Sequence, residues 1–593
     1  MPFIPAFLGR SMAAALLLVL GACAQLPQNV DRPVSTALAS PAGTPLATLV
    51  QERRRADAAR YESGFLLLAG PQAAYGSRLA LIDGAQKTLD LQYYAIHVDA
   101  STGRLVRGLR AAAERGVRVR ILLDDFHSTG RDALVLGLAF VPNIELRLFN
   151  PLAGARGSTF SRLLNSAGDA SRIQQRMHNK LFLADNVLGV TGGRNLGDAY
   201  FGNSLNGNFI DVDVLAAGPI VQDLSRSFDS YWNNERAYPA QSLVSREELQ
   251  AIRDRARQTD RELAEESARA RDADAAPATS GDQPKPPDGE PRPDGPPTAA
   301  QRARAWDEKP LDLRSARFVW APAAMLADQP GKIPADVPGG PDGARAPGLV
   351  VSQPEDKARV SRSAAALTAD SDLAAGSETV VEGLLQLIGQ ARSDLLIISP
   401  YFVPGADMKQ AFAAARARGV RIRVLTNSLA SNDAPVAHVG YARHREELLK
   451  MGIGLYELRS EQAGLGSAFG GSTGSTGGSS VTGESRAMLH SKVLVMDGRL
   501  LVVGSMNLDL RSQLQNTEIA LLIRSTELSR LAAEQIERGL RERAWHVELV
   551  DGSLVWHAPE GSGLPDSRTE PDASLSLRLL LKLFGPLAPD QLL

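Results

Sequence analysis

Two short patterns carry the residue types that phosphorus chemistry needs. The first reads His178-Asn179-Lys180, then Asp185, then Gly192-Gly193-Arg194-Asn195. The second reads His490-Ser491-Lys492, then Asp497, then Gly504-Ser505-Met506-Asn507. Every interval matches: two residues from His to Lys, seven to Asp, fourteen to the first Gly and seventeen to Asn. A lone His-x-Lys carries no information, but a four-part pattern repeated at identical spacing does. An imidazole can attack phosphorus and form a covalent phosphohistidine. A second, protonated imidazole can give its proton to the leaving alkoxide and then take one from the incoming alcohol or water. Lysine ammonium groups and Asn amides can hold the non-bridging oxygens as charge builds on them. Two His, two Lys and two Asn (Asn195 and Asn507) about a pseudo-twofold axis describe a site for a phosphodiester. The chain shows no metal-ligand spacing, and no cofactor is expected.

The elements around each pattern explain how it is presented. His178 and Lys180 lead into the apolar run Leu181–Ala184, and His490 and Lys492 into Val493–Met496. Residues two apart on a strand share a face, so each His and Lys project together. Asp185 and Asp497 end these runs and are expected to anchor backbone or basic groups. The glycine turn after the next strand lets backbone approach a ligand. A catalytic imidazole also needs a carboxylate on its other ring nitrogen. Glu518, in Asn516-Thr517-Glu518-Ile519-Ala520, is the candidate downstream of His490. In Ile210-Asp211-Val212-Asp213-Val214, Asp213 aligns best with Glu518, with Asp211 as the alternative.

The duplication extends beyond the motifs. Arg115-Gly116-Val117-Arg118-Val119-Arg120-Ile121-Leu122 recurs as Arg418-Gly419-Val420-Arg421-Ile422-Arg423-Val424-Leu425. A β-type run (Leu89–Ala95; Leu395–Phe402) and an Ala-rich amphipathic helix (Arg104–Arg115; Ala406–Arg418) precede each copy. Strand, helix, strand is a βαβ unit, which predicts a mostly parallel sheet covered by helices. The repeats are placed at 61–240 and 361–550, with a connector at 311–360 and a C-terminal segment at 551–593. Between the repeats, 241–310 holds a charged helix (Arg246–Arg271) and a Pro-rich insert. With eight Pro and no apolar residue larger than Ala in 271–300, the insert cannot offset the entropy of ordering. The Gly/Ser-rich stretch Gly464–Gly483 reads as a loop over the site mouth or as a neutral insertion. Leu575–Phe584 is apolar with two cations, and reads as an interfacial helix or as one docked on the protein's own core. His127 and His438 follow the repeat strands and are expected at the site rim. His97, His444, His546 and His557 are expected as surface or core groups.

Sixty-five basic against 67 acidic residues give a net charge of -2, which argues against a nucleic-acid partner. The single cysteine rules out a disulfide framework. That residue, Cys23, follows Leu20-Gly21-Ala22 and the apolar run Met12–Leu20, which is too short to span a bilayer. Residues 1–22 thus read as a signal peptide, and 23–60 as a tether. Leu20–Cys23 resembles a bacterial lipobox, which implies lipidation of Cys23 and an envelope location on the periplasmic face of the outer membrane.

Taken together, these residues resemble the phospholipase D superfamily, whose signature is a pair of His-x-Lys-x4-Asp motifs. Both are intact, as His178/Lys180/Asp185 and His490/Lys492/Asp497. Trp320-Ala321-Pro322, Ser399-Pro400-Tyr401-Phe402-Val403-Pro404, and Asn427-Ser428-Leu429 with His438 and Gly440-Tyr441 are similar to bacterial cardiolipin synthases without N-terminal transmembrane helices. The resemblance covers roughly 61–550. It implies an α/β fold of two repeats packed side by side with the site at their interface. It implies phosphatidyl transfer through a phosphatidyl-histidine on His178, with His490 as acid and base, although symmetry allows the reverse. The implied partners are a membrane and phospholipids, with phosphatidylglycerol as acceptor and phosphatidylglycerol or phosphatidylethanolamine as donor. A hydrolytic phospholipase D, a nuclease of the same superfamily and a non-enzymatic envelope lipoprotein are the alternatives. Oligomeric state is not legible.

Overall fold

The computed structural model describes residues 26–157, 162, 170–205, 207–274, 297–333, 348–352, 362–460, 486–573 and 578–579. Cys23, the signal segment, most of the Pro-rich insert, Gly464–Gly483 and most of Leu575–Phe584 lie outside them.

The duplicated βαβ units form as the sequence predicts. Asp99 caps the helix Ala100–Glu114 by accepting from the Thr102 amide at 3.0 Å. That helix buries Leu105, Leu109, Ala112 and Ala113 and gives way at Gly116, whose φ of +90° favours glycine. Its counterpart Ala406–Ala417 buries Met408, Phe412 and Ala415 and ends at Gly419, φ +85°. The strands that follow, Arg118–Asp124 and Arg421–Asn427, each lie parallel to the strand before the helix.

Each repeat forms one large sheet. In the first, the strand order is Val319–Trp320, Gly64–Leu68, Asp213–Ala217, Leu188–Gly192, Leu181–Ala184, Thr88–Tyr93, Arg118–Asp124, Ile144–Phe149 and Ala237–Pro239. In the second, it is Leu349–Val351, Ala323–Asp328, Ile519–Arg524, Leu500–Gly504, Val493–Met496, Asp394–Ile398, Arg421–Asn427, Gly454–Leu458, Ala544–Val550 and Ser553–His557. The sheets are mixed, not mostly parallel. Only the three strands joined by βαβ crossovers run parallel, while the strands carrying the histidine motifs pair antiparallel through short turns. Residues 311–360 contribute strands to both sheets: Val319–Trp320 closes the first, and two residues later Ala323–Asp328 enters the second.

The repeats share a core. Leu181, Leu183, Val214 and Phe228 pack with Met325, Val493, Val495 and Leu521 in a single cluster. Each such residue contributes about 1.5–3 kcal/mol on burial, so the halves do not part cheaply. Helices Ile220–Trp232 and Thr526–Arg543 also lie in this middle layer, while Pro71–Gly84 and Ala100–Glu114 pack on the outer face of the first sheet and Val380–Ile388 and Ala406–Ala417 on that of the second.

The expected tether is largely docked. Arg147 donates to the Pro33 carbonyl at 2.5 Å, Ser35 and Ala37 amides bond Asn233 and Asp229 at 3.1 and 2.7 Å, and Asn186 donates to the Leu38 carbonyl. Thr44 then caps the helix Pro45–Ala56. Proline keeps this stretch extended, and side chains of the first repeat satisfy its backbone. Among the described residues, no helix is long and apolar enough to cross a membrane.

Candidate active site

The motif histidines are positioned by backbone pairing between the repeats. Gly207–Ile210 runs parallel to Arg486–Leu489, and the His490 amide donates to the Ile210 carbonyl at 2.9 Å. In the pseudo-twofold-related arrangement, Met177 bridges Thr517, and the His178 amide donates to the Thr517 carbonyl at 3.0 Å. The residue after each of those carbonyls is a carboxylate, and it reaches across to the imidazole of the other repeat. Glu518 accepts from His178 Nδ1 at 2.9 Å, and Asp211 from His490 Nδ1 at 2.6 Å. Holding Nδ1–H on a carboxylate leaves each Nε2 as the reactive nitrogen.

Asp213, expected to align with Glu518, does not touch a histidine. It forms a buried ion pair with Arg78 at 2.9 Å and lies 3.5 Å from Arg194. The sheet register explains the correction. Gly192 faces Asp213 as Gly504 faces Ala520, so the residue two before Asp213, Asp211, is the counterpart of Glu518.

The two lysines are fully enclosed, and each Nζ donates to the carbonyl of its own motif histidine at 2.6 Å. Burial lowers Lys180 to about 7, and Lys492 to about 8. Burial also holds the His178 imidazole well below its ordinary range, helped by Lys180 and Lys492. His490 is lowered by burial and Lys492, with Asp211 pulling the other way. Burial alone would raise Asp211, but His490, Lys492 and Arg194 hold it down to about 2. Glu518 is raised by burial despite Lys180 and the hydroxyls of Ser505 and Ser512, which donate to it at 2.5 and 2.9 Å. Buried lysines that lower a neighbouring imidazole gain from a bound anion, which would offset their own desolvation.

Asp185 and Asp497 touch no reacting group. Asp185 accepts from the amides of Gln86, Lys87 and Thr88, and Asp497 from those of Arg392, Ser393 and Asp394. They tie the far end of each motif strand to the start of the neighbouring strand, so they are positioning residues. Asn195 is tied to the Ala95 amide and the Tyr200 hydroxyl, whereas the buried Oδ1 of Asn507 has no partner among the described residues. The glycine turn serves the carboxylates more than a ligand. A Cβ on Gly193 would lie 2.3 Å from the Asp211 carboxylate, and one on Gly192 2.4 Å from that of Asp213.

Several residues at the site carry no motif of their own in the sequence. Tyr94 sits edge-on to His178 at 5.2 Å, while Tyr200 and Phe209 lie 5.4 and 5.0 Å from His490. Asp124 and Asn427 accept from the amides of Met177 and Leu489, just before each histidine. A signal for these two does exist, because both stand nine residues after the Arg of the duplicated Arg-Gly-Val segment. His127 lies at the site wall, edge-on to Tyr94 at 4.8 Å. His438 is not at the rim. It is 1% exposed and engaged by Arg445, Glu570 and Tyr441, so its polar partners come from a buried ion cluster. Among the described residues, no group of His, Cys, Asp or Glu is arranged to hold a metal ion.

The model of the family described as "Cardiolipin synthase, PLD-like domain" matches residues 79–232 and 384–540, one segment in each repeat. The chain belongs to this family. Each matched segment holds the βαβ unit and the histidine motif of one repeat, and the dyads cross between the two. Cardiolipin synthase C of Escherichia coli is 32% identical over 536 residues, covering 88% of this chain and 94% of its own. An uncharacterized protein of Helicobacter pylori is 29% identical, covering 93% of each. Among solved structures, the phosphatidylserine synthase of Haemophilus influenzae aligns over 91% of this chain and 99% of its own, at 11% identity and a TM-score of 0.48. The chain is thus a phospholipase D-superfamily enzyme of the cardiolipin synthase-like kind.

Proposed function

We propose that this phospholipid phosphatidyltransferase makes cardiolipin from phosphatidylglycerol and a second phospholipid. His178 Nε2 attacks the donor phosphorus. The P–N bond forms as the P–O bond to the head-group alcohol breaks, and His490 Nε2–H supplies the proton that alcohol needs. A glycerol hydroxyl of phosphatidylglycerol then bonds to phosphorus and gives its proton to His490, while the P–N electron pair returns to His178. Lys180, Lys492 and Asn507 hold the non-bridging oxygens. The observation that carries this reading is the pair of crossed His–carboxylate dyads, with Lys180, Lys492 and His490 all close enough to act on the His178 imidazole.

The two dyads favour His178 as nucleophile. Both imidazoles are lowered by burial, His178 the further of the two, while the short bond from His490 to Asp211 offsets part of that burial and makes His490 the easier of the pair to protonate. Incubation with labelled phosphatidylglycerol tests the reaction: cardiolipin is expected, and phosphatidic acid alone would make the enzyme a hydrolase. We further propose that lipidation of Cys23 holds the enzyme at an envelope membrane. Labelled palmitate should enter the wild type and not Cys23→Ala, which should leave the membrane fraction.

A further inference from the structure

A third histidine–carboxylate pair stands beside the catalytic two and has no counterpart in the second repeat. His97 Nδ1 meets Asp132 Oδ2 at 2.8 Å, and the other oxygen of Asp132 accepts from the Val98 amide at 2.7 Å. The His97 amide donates to the Leu196 carbonyl, one residue beyond Asn195. Its ring lies over Gly197, where a Cβ would come within 2.9 Å of it. The bridge Ile96–Leu196 corresponds to Phe402–Leu508, so the second repeat has Val403 in place of His97 and Asp509 in place of Gly197.

The pair repeats the arrangement of the catalytic dyads, with Nδ1 held and Nε2 turned away. Among the described residues His97 Nε2 has no hydrogen-bond partner. The side chain is 35% exposed, so a ligand can reach it. The ring stacks parallel to Tyr200 at 6.4 Å, and Tyr200 stands edge-on to His490 at 5.4 Å. His97 is therefore two ring-to-ring steps from the histidine assigned to activate the acceptor alcohol.

We propose that His97 and Asp132 form a receptor for the phosphate of the acceptor phospholipid, a subsite that favours transfer to a lipid over transfer to water. This rests on the phosphatidyl-transfer reading above. The acceptor hydroxyl and its own phosphate are joined by a glycerol bridge, which sets the two phosphorus atoms roughly 6–8 Å apart. The steps of 6.4 and 5.4 Å through Tyr200 keep His97 and His490 within reach of one acceptor molecule. In the transfer step the acceptor oxygen bonds to phosphorus, the P–N bond to His178 breaks, and the proton passes to His490; His97 only holds the second phosphate.

The charges around His97 agree. Burial pulls the imidazole down, but Asp132 and Asp99 outweigh it and raise it above its ordinary value. The neighbouring His127 is pushed down to about 4 by burial and stays neutral. Asp99, the other nearby carboxylate, spends its oxygens on the Thr102 and Asp198 amides, and burial with Asp198 pushes it up to about 7. His97 is thus the histidine of this wall that most readily takes a proton.

Competition between two acceptors tests the subsite. Vesicles of labelled phosphatidylglycerol with added ethanol offer the phosphatidyl-enzyme a phosphate-bearing and a phosphate-free alcohol, giving cardiolipin and phosphatidylethanol. In His97→Ala and in the milder His97→Gln, the ratio of cardiolipin to phosphatidylethanol should fall about tenfold. An unchanged ratio in variants that still form phosphatidylethanol would overturn the subsite. So would loss of both products in both variants, which would make His97 a folding element. A wild type that forms phosphatidylethanol but no cardiolipin would instead overturn the cardiolipin-forming reading itself.

Discussion

The two repeats present the same backbone to the site and furnish it differently. Glu518, from the second repeat, receives two serine hydroxyls besides its histidine, and Ser505 is one of them. Asp211, from the first, has Gly193 where the second repeat has Ser505, and approaches that glycine too closely for any side chain. The shorter Asp carboxylate therefore relies on His490 and the surrounding cations, while the longer Glu is hydroxyl-bonded and raised. Because the carboxylates cross, each repeat sets the state of the other's imidazole. A symmetric frame thereby holds two imidazoles that burial lowers to different extents, His178 more than His490, which suits the two roles of a two-step displacement.

The strongest way to break this comparison is to remove each imidazole in turn. His178→Ala and His490→Ala should each lower transfer by about 10⁴-fold or more while circular dichroism stays native. With a donor whose leaving group needs no proton, His490→Ala should still accumulate a phosphatidyl-enzyme, and His178→Ala should not. The reverse outcome would exchange the roles.

Carboxylate substitutions come next. Glu518→Gln and Asp211→Asn should each cost on the order of 10²–10⁴-fold in kcat by leaving the imidazole in the wrong tautomer. Asp213→Asn should act on stability instead, by roughly 3–5 kcal/mol in denaturant unfolding, because it leaves Arg78 buried without its charge partner. If Asp213→Asn lost activity at full stability, the register argument would be wrong.

The hydroxyl difference predicts a smaller effect. Ser505→Ala should cost roughly tenfold in kcat, the worth of one hydrogen bond to a charged group. Gly193→Ala should cost more, since its methyl displaces the Asp211 carboxylate.

The smallest effect is with pH. Lys180 and Lys492 bind an anion as ammonium groups, and burial brings them to about 7 and about 8. Affinity for sulfate, whose charge is constant here, should fall as pH rises through this range, read as a rising inhibition constant. Equal inhibition at pH 6 and pH 9 would show that the lysines stay charged.

Much of the site and its frame is legible in the amino-acid sequence. The fixed spacing of His, Lys, Asp, Gly and Asn survives duplication because each interval spans one strand and its turn, which are local objects. The βαβ units are equally plain, since Gly116 and Gly419 mark helix ends through backbone conformation alone. The sequence suggests mostly parallel sheets because the antiparallel pairings around Leu181–Ala184 and Val493–Met496 show only as short turns. Segment 33–38 has the composition of a tether because it is short of periodic apolar residues, with only Val34 and Leu38 among Pro, Ser, Thr and Ala; what docks it is hydrogen bonding to Arg147, Asn233 and Asp229.

Which carboxylate serves which histidine lies beyond the sequence. Asp211 follows His178 by 33 residues, whereas Glu518 follows His490 by 28, so spacing does not align them. Only the sheet register identifies Asp211, and only the contact between the repeats sends each carboxylate to the opposite histidine. The sequence by itself determined the chemistry: which groups are present and which strands carry them, because these depend on neighbours in the chain. Tertiary structure decided the partnerships and the protonation of the two imidazoles, because a proton's free energy depends on burial and on charges brought close from hundreds of residues away.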